Sequence, residues 1–221
     1  MKNSVIYSFV CLIMIISHVT FAQNLIPFRK GEKWGYSDKT GKIVVEPSFD
    51  LTYPLCDGMG LVKMEHAYGY IDSLGRFITD IKYEMGYTFQ SGFAVVAVNH
   101  NVEKTNANGI KYHTVELRYG FIDKKGREVI PLKYGDVFSF QPNGLAMVGI
   151  GKFVQNADGK DYFDGKWGYI NTKGAEVIPV KYNKIGIFKE GLAYAQMGSR
   201  FGFINEKDEL IIPFKYDDVN S

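Results

Sequence analysis

The residues of this 221-residue chain that could do chemistry are few and scattered. It has four His and two Cys. His100 and His113 flank a turn around Thr105-Asn106-Ala107-Asn108-Gly109. If Thr105 pairs with Ile110, His100 pairs with Val115, and His113 becomes its diagonal neighbour on the same face. Two imidazoles so placed could share a metal. No Cys or carboxylate completes a ligand set at a readable spacing, so exposed strand histidines are the simpler expectation and no metal is assigned. Cys56 has no His or basic cluster beside it and reads as a small buried apolar residue. Asp38, Asp72 and Asp123 recur in similar text. A recurrent carboxylate could serve a hydrolase, but a repeated turn Asp is first of all an Asx turn. The chain lacks Gly-x-Ser-x-Gly, His-Glu-x-x-His, the phosphate-binding P-loop and the dinucleotide fingerprint. No catalytic residue and no cofactor site is expected.

What does repeat is a scaffold. An aromatic-Gly-aromatic step occurs five times, at Trp34-Gly35-Tyr36, Tyr68-Gly69-Tyr70, Tyr119-Gly120-Phe121, Trp167-Gly168-Tyr169 and Phe201-Gly202-Phe203. The spacings are 34, 51, 48 and 34 residues, so the basic period is 34. Behind each step follows related text, such as YGFIDKKGREVIPLKY from Tyr119 and WGYINTKGAEVIPVKY from Trp167. Ahead lies Gly-Leu-Ala-x-Val, as at Gly144 to Val148. Asn171-Thr172-Lys173-Gly174 and its equivalents are turns, with Gly placed for positive φ. Pro47, Pro131, Pro179 and Pro213 cannot donate to a ladder, so their strand is an edge or ends there. Each unit therefore reads as a three-stranded β-meander, and the chain as an all-β tandem array of five. The Gly of each step (Gly35, Gly69, Gly120, Gly168, Gly202) is expected to leave room for close backbone approach, and Trp34, Tyr68, Tyr119, Trp167 and Phe201 are its structural partners. Lys82-Tyr83, Lys133-Tyr134, Lys181-Tyr182 and Lys215-Tyr216 recur with the unit. They suit packing between units and soluble edges, with a sugar-stacking ladder as the functional alternative. A small meander buries too little alone, so neighbours must stack. Propeller blades typically carry four strands. Three-stranded units point to an open, solenoid-like array, with a closed propeller-like ring as the alternative.

These signatures resemble the WG-repeat family, also described as KWG repeats, over essentially all of residues 25–219. Copies two, three and five depart by Tyr or Phe for Trp, and copy two has Thr79-Asp80-Ile81 in place of Ile-Pro. The resemblance implies a bacterial, often exported, all-β repeat module without an agreed catalytic motif.

Composition agrees with a folded, non-nucleic-acid-binding protein. The hydrophobic fraction is 46%, and Tyr 15, Phe 16 and Gly 24 suit strands and turns. A formal charge of +2 lacks the basic excess of a polyanion binder. Residues 1–22 have the layout of a secretory signal peptide: Lys2, an apolar run from Val5 to Ile16, then Thr20 and Ala22 at the −3 and −1 positions. The run is too short for a span. The expected mature chain, 23–221, has no membrane span and keeps one Cys, so its core must stabilise it without an internal disulfide. Its expected address is periplasmic, cell-surface or secreted.

The two longer spacings place insertions in the same hairpin of consecutive units, near 99–118 and 151–166. Both tips carry Asn-Ala-Asn/Asp-Gly. Two long hairpins should stand side by side, and insertions of this kind often mark the binding face of a repeat protein, although tolerated loop growth gives the same pattern. Tyr112, His113, Phe153, Tyr162 and Phe163 on their arms are the candidate contact residues. The functional expectation is a non-catalytic binding or scaffolding module for an unidentified protein or cell-envelope partner. An envelope hydrolase or a carbohydrate-binding protein is the alternative.

Overall fold

The computed structural model describes residues 25–105, 108–156 and 158–219. The signal-like segment 1–22 and parts of both hairpin tips lie outside the described residues.

Among the described residues there are strands and turns and no helix. Unit one holds β1 (Ile26–Lys30), β2 (Lys33–Ser37) and β3 (Ile43–Phe49). Unit two holds β4 (Leu51–Thr52), β5 (Gly60–Met64) and β6 (Ala67–Ile71). Unit three holds β7 (Met85–Gly86), β8 (Phe93–Thr105), β9 (Lys111–Asp123) and β10 (Glu128–Tyr134). Unit four holds β11 (Asp136–Val137), β12 (Leu145–Gln155), β13 (Asp161–Asn171) and β14 (Glu176–Tyr182). Unit five holds β15 (Lys184–Ile185), β16 (Leu192–Met197), β17 (Arg200–Asn205) and β18 (Leu210–Tyr216). Each unit is one antiparallel sheet whose strands neighbour in chain order.

The aromatic-Gly-aromatic strand lies beside the Pro-bearing edge strand, and its glycine has a specific neighbour there. In unit four Trp167 pairs with Tyr182 and Tyr169 with Ile178, so the single residue Gly168 on β13 faces Pro179, Val180 and Lys181 on β14. This irregularity brings the Ile178 carbonyl against Gly168, where a Cβ would sit 2.4 Å from that oxygen. Gly35, Gly120 and Gly202 meet the carbonyls of Val45, Ile130 and Ile212 in the same way, at 2.4, 2.4 and 2.5 Å. In unit two, Thr79-Asp80-Ile81 replaces Ile-Pro. There the third segment forms no regular strand. It is held by the isolated bridges Tyr68–Tyr83 and Ile71–Phe77, by the Ile78 N–H donating to the Tyr70 carbonyl and by the Tyr70 N–H donating to the Thr79 hydroxyl. A Cβ on Gly69 would meet the Ile81 side chain at 2.9 Å and the Asp80 carbonyl at 3.1 Å.

Four apolar clusters lie between the five sheets. Tyr36, Phe49, Val62 and Ile71 join units one and two, and Tyr70, Phe89, Val96 and Ile122 join two and three. Phe121, Phe140, Val148 and Ile170 join three and four, and Tyr169, Ile178, Ala195 and Ile204 join four and five. Among the described residues no such cluster joins the first unit to the fifth, and the array is open. Its openness does not come from a count of three strands per unit. Units three to five carry a fourth, two-residue strand taken from the preceding linker.

The last residue of the step reaches across these junctions. The Tyr36 hydroxyl donates to the Tyr53 carbonyl at 2.7 Å, Tyr70 to Tyr87 at 2.8 Å, and Tyr169 to Gly186 at 2.7 Å. Burial raises the phenols of Tyr36 and Tyr70 well above the ordinary range and pushes that of Tyr169 up to about 12, so they remain donors at any ordinary pH. Lys-Tyr pairs divide similarly. Tyr83, Tyr134 and Tyr182 are buried, and each neighbouring ammonium lies 5.0–5.3 Å from its ring centre.

Candidate functional site

The turn that closes each short hairpin is the same device throughout. Asp38 Oδ1 accepts from the N–H groups of Thr40 and Lys42, and Gly41 takes φ of 84°. Asp72 and Asp123 do likewise, each adding an ion pair to the Arg four residues on. Their carboxyls are held below the usual range by these hydrogen bonds, against the opposing effect of burial. These carboxylates are committed to turns.

The two insertions form continuous hairpins. β8 and β9 pair from Phe93–Asp123 out to Thr105–Lys111, and β12 and β13 from Leu145–Asn171 out to Gln155–Asp161. The register of the first corrects the expected Thr105–Ile110 pairing by one residue. His100 therefore faces Glu116, His113 faces Glu103, and the two imidazoles project on opposite faces, because strand side chains alternate. Among the described residues no group of three or more His, Cys, Asp or Glu could hold a metal ion.

The same alternation sorts the candidate contact residues. Phe153 and Phe163 are cross-strand partners with rings 5.4 Å apart in edge contact. Tyr162 pairs with Val154 on the other face, and Tyr112 likewise lies on the face opposite to His113. Tyr112, Phe153 and Tyr162 are 47%, 53% and 51% exposed. A row of rings continues from the pair: Phe163 lies 4.6 Å from Trp167, and Trp167 lies 5.9 Å from Phe138. Gly149 and Gly165 make it possible, since a Cβ on either would fall within 2.8 Å of the Phe163 ring. Phe163 belongs to a hairpin arm, Trp167 to the repeated step and Phe138 to the segment between β11 and β12, so the row joins three parts of the sequence pattern that no spacing connects.

Between the hairpins lies a cleft of about 280 Å³, lined by Lys104, Glu116 and Arg118 from the first and Lys152 and Phe153 from the second. Glu116 receives Lys104 at 2.8 Å and Arg118 at 2.7 Å, and these hydrogen bonds hold its carboxyl below the usual glutamate range. With Glu116 so engaged, the cleft keeps an excess of positive charge.

A second and larger cavity, of about 680 Å³, opens where units four and five meet. Phe138 and Trp167 line it from unit four, and Tyr194, Phe203 and Ile212 from unit five. In the repeat alignment Tyr53, Tyr87, Phe138 and Gly186 are equivalent, each donating its N–H to the carbonyl of Leu61, Val95, Met147 and Tyr194 respectively. Gly186 thus stands where three units have a ring. The signal for this cavity was present in the sequence as a gap in the aromatic pattern.

No helix among the described residues is long and apolar enough to cross a membrane. No curated protein matches the chain. The family described as WG containing repeat matches residues 34–65, 68–100, 119–152, 167–200 and 201–221; each segment starts at one sheet's aromatic-Gly-aromatic step, and the first four run on into the next sheet. The chain belongs to the WG-repeat family.

Proposed function

We propose that the chain is an exported, non-catalytic binding or scaffolding module that holds a protein partner on its paired hairpins. The observation that carries this reading is how densely large apolar side chains meet solvent on the insertions. Ile110, Tyr112, Val115, Ile150, Phe153 and Tyr162 are exposed on the two hairpins or their immediate flanks, whereas the other exposed ones, such as Ile26, Phe77 and Ile211, are spread over the rest of the array. Apolar side chains on both faces of two adjoining hairpins favour a contact surface over loop growth, because solvated loops have no need of them. The carboxylates that recur are bound into turns, which supports a scaffold over a hydrolase.

The test replaces 99–118 and 151–166 by the short turn found at 196–200, then measures melting and partner capture from envelope extract together. A folded protein that no longer captures its partner is expected. Capture at undiminished affinity by the folded variant refutes the reading. Export is tested separately by the intact mass of the secreted protein, which should begin at Gln23; a product retaining residues 1–22 overturns it.

A further inference from the structure

We infer that the cavity on the outer side of unit five, bordered by Phe138, Met147 and Trp167 of unit four, binds a single-chain amphiphile with a carboxylate head, a long-chain fatty acid. This site is distinct from the hairpin surface proposed above and stands or falls without it.

Three departures of unit five from the repeat converge on this one cavity. The first is Gly186, in place of the ring supplied by Tyr53, Tyr87 and Phe138 in the preceding units. The second is Lys184, which pairs with β16 as Leu51, Met85 and Asp136 pair with the corresponding strands. The third is Lys189, whose N–H bonds the Leu192 carbonyl as Cys56, Gln90 and Gln141 bond Met59, Phe93 and Leu145. The ring is moved rather than lost: a Cβ on Gly186 would lie 2.3 Å from the Tyr194 ring, and Tyr194 stands where the other units have Leu61, Val95 and Met147. The wall is re-formed from unit five, and two gained ammonium groups set its charge. Among the described residues no carboxylate lines the cavity, and neither lysine enters an ion pair.

The rest of the lining is apolar. It includes Leu192, Tyr194, Phe203 and Ile212, which alternate onto the side of unit five away from unit four. Their equivalents one unit earlier, Leu145, Met147, Tyr169 and Ile178, are buried under unit five. The same chemistry is thus half-open at the fifth sheet. A volume of about 680 Å³ lies inside the range of about 300–1,000 Å³ usual for small-molecule sites, which combine apolar walls with a few orienting polar groups. Apolar walls select an alkyl chain, and two unpaired lysines at an exposed position select an anionic head. A cationic head would meet like charge.

Trp167 lines the cavity and reports on it. The only other tryptophan, Trp34, is in unit one, and Trp34→Tyr gives it the ring that unit two carries at Tyr68. In that background the protein is titrated with laurate, dodecanol and dodecyltrimethylammonium, each below its micelle concentration. Laurate should change Trp167 emission saturably at one molecule per chain. Dodecanol should bind more weakly, and the cation should give no response. K184Q/K189Q should lower laurate affinity about fivefold or more and leave dodecanol unchanged, as expected for solvent-exposed charge pairs. G186F/Y194M restores the Phe138 and Met147 pair of unit four and should abolish binding of both. If that double variant does not fold, the lysine variant decides. The inference is overturned by no response to laurate, by equal binding of all three probes, or by unchanged laurate affinity in either variant. It is overturned also if sedimentation shows a second copy covering this face and laurate leaves that association untouched.

Discussion

Strands β12 and β13 pass through two environments without a break in their pairing. At one end Met147 lies opposite Tyr169, both buried between sheets four and five. At the other end Phe153 lies opposite Phe163 on the same face, and Phe153 is half in water. The ladder is identical, so backbone pairing does not distinguish the halves. The neighbouring sheet does. In the body of an inner unit one face of the sheet packs on the unit before and the other on the unit after, so a change there disturbs a buried junction. In the hairpin the flanking units have nothing of that length except the other insertion. Stability belongs to one half and freedom to make new contacts to the other. Substitutions along these two strands should therefore fall steeply in cost from body to tip.

The largest loss should come from Gly168→Val. Its Cβ would lie 2.4 Å from the Ile178 carbonyl oxygen and 2.7 Å from atoms of Pro179, and both are backbone that cannot turn aside. Overpacking of this kind costs about 3 kcal/mol, which for a chain of this size lowers Tm by about 6–12 °C. Thermal melting followed by circular dichroism measures it. A curve superimposable on that of the parent would remove the physical reason for the glycine.

A smaller effect tests the hydroxyl that links one unit to the next. Tyr169→Phe should cost about 1–2 kcal/mol, because the Gly186 carbonyl loses its donor in a buried place. Unit three offers the reverse experiment. Phe121 occupies the equivalent place without a hydroxyl, against Phe140 at 4.8 Å. Phe121→Tyr should gain up to about 1 kcal/mol by reaching the Phe138 carbonyl, seventeen residues on as in the other units. Denaturant unfolding of the pair should give shifts of opposite sign, and shifts of the same sign would mean that the hydroxyl is incidental.

Phe153→Ser should change stability by about 0.5 kcal/mol or less, since the ring is exposed and loses one edge contact. If the hairpins carry the partner, the same change should weaken capture severalfold. A fall in melting temperature as large as that of Gly168→Val would show that the hairpin belongs to the core after all.

These contrasts were partly legible before any coordinates. The repeated step, its turn and its Pro-bearing edge are local, so five copies in phase expose them. The fourth strand was not legible, because Asp136-Val137 or Lys184-Ile185 is too short to show a period of two. The hairpin register was missed by one residue, and one residue is enough to move His113 to the other face. The ring row was missed for a different reason. Phe138, Trp167 and Phe163 come from a linker, a scaffold step and an insertion, and only the fold brings such unlike segments together. Gly186 is legible only when the linkers are set in register, where it stands against Tyr53, Tyr87 and Phe138.

The smallest effect concerns charge on the first hairpin. Glu116 is held below the ordinary glutamate range by hydrogen bonds from Lys104 and then Arg118. A depressed carboxyl favours the folded arrangement above the pKa of the free side chain, and that contribution is lost as pH falls through the lower folded value. An ion pair of this kind at the protein surface is worth about 1 kcal/mol or less, so global melting is the wrong measurement. Hydrogen exchange of hairpin amides is the right one, compared between the parent and Glu116→Gln. At neutral pH the variant should exchange faster between Val98 and Thr105 and between Lys111 and Arg118. The difference should vanish in acid, where Glu116 is protonated in the parent too. Amides of Val95, Phe121 and Ile130 should not distinguish the two proteins at either pH, because the body of unit three is held by its neighbouring sheets. If they do, the hairpin and the body open as one unit, and the division drawn along β12 and β13 does not extend to β8 and β9.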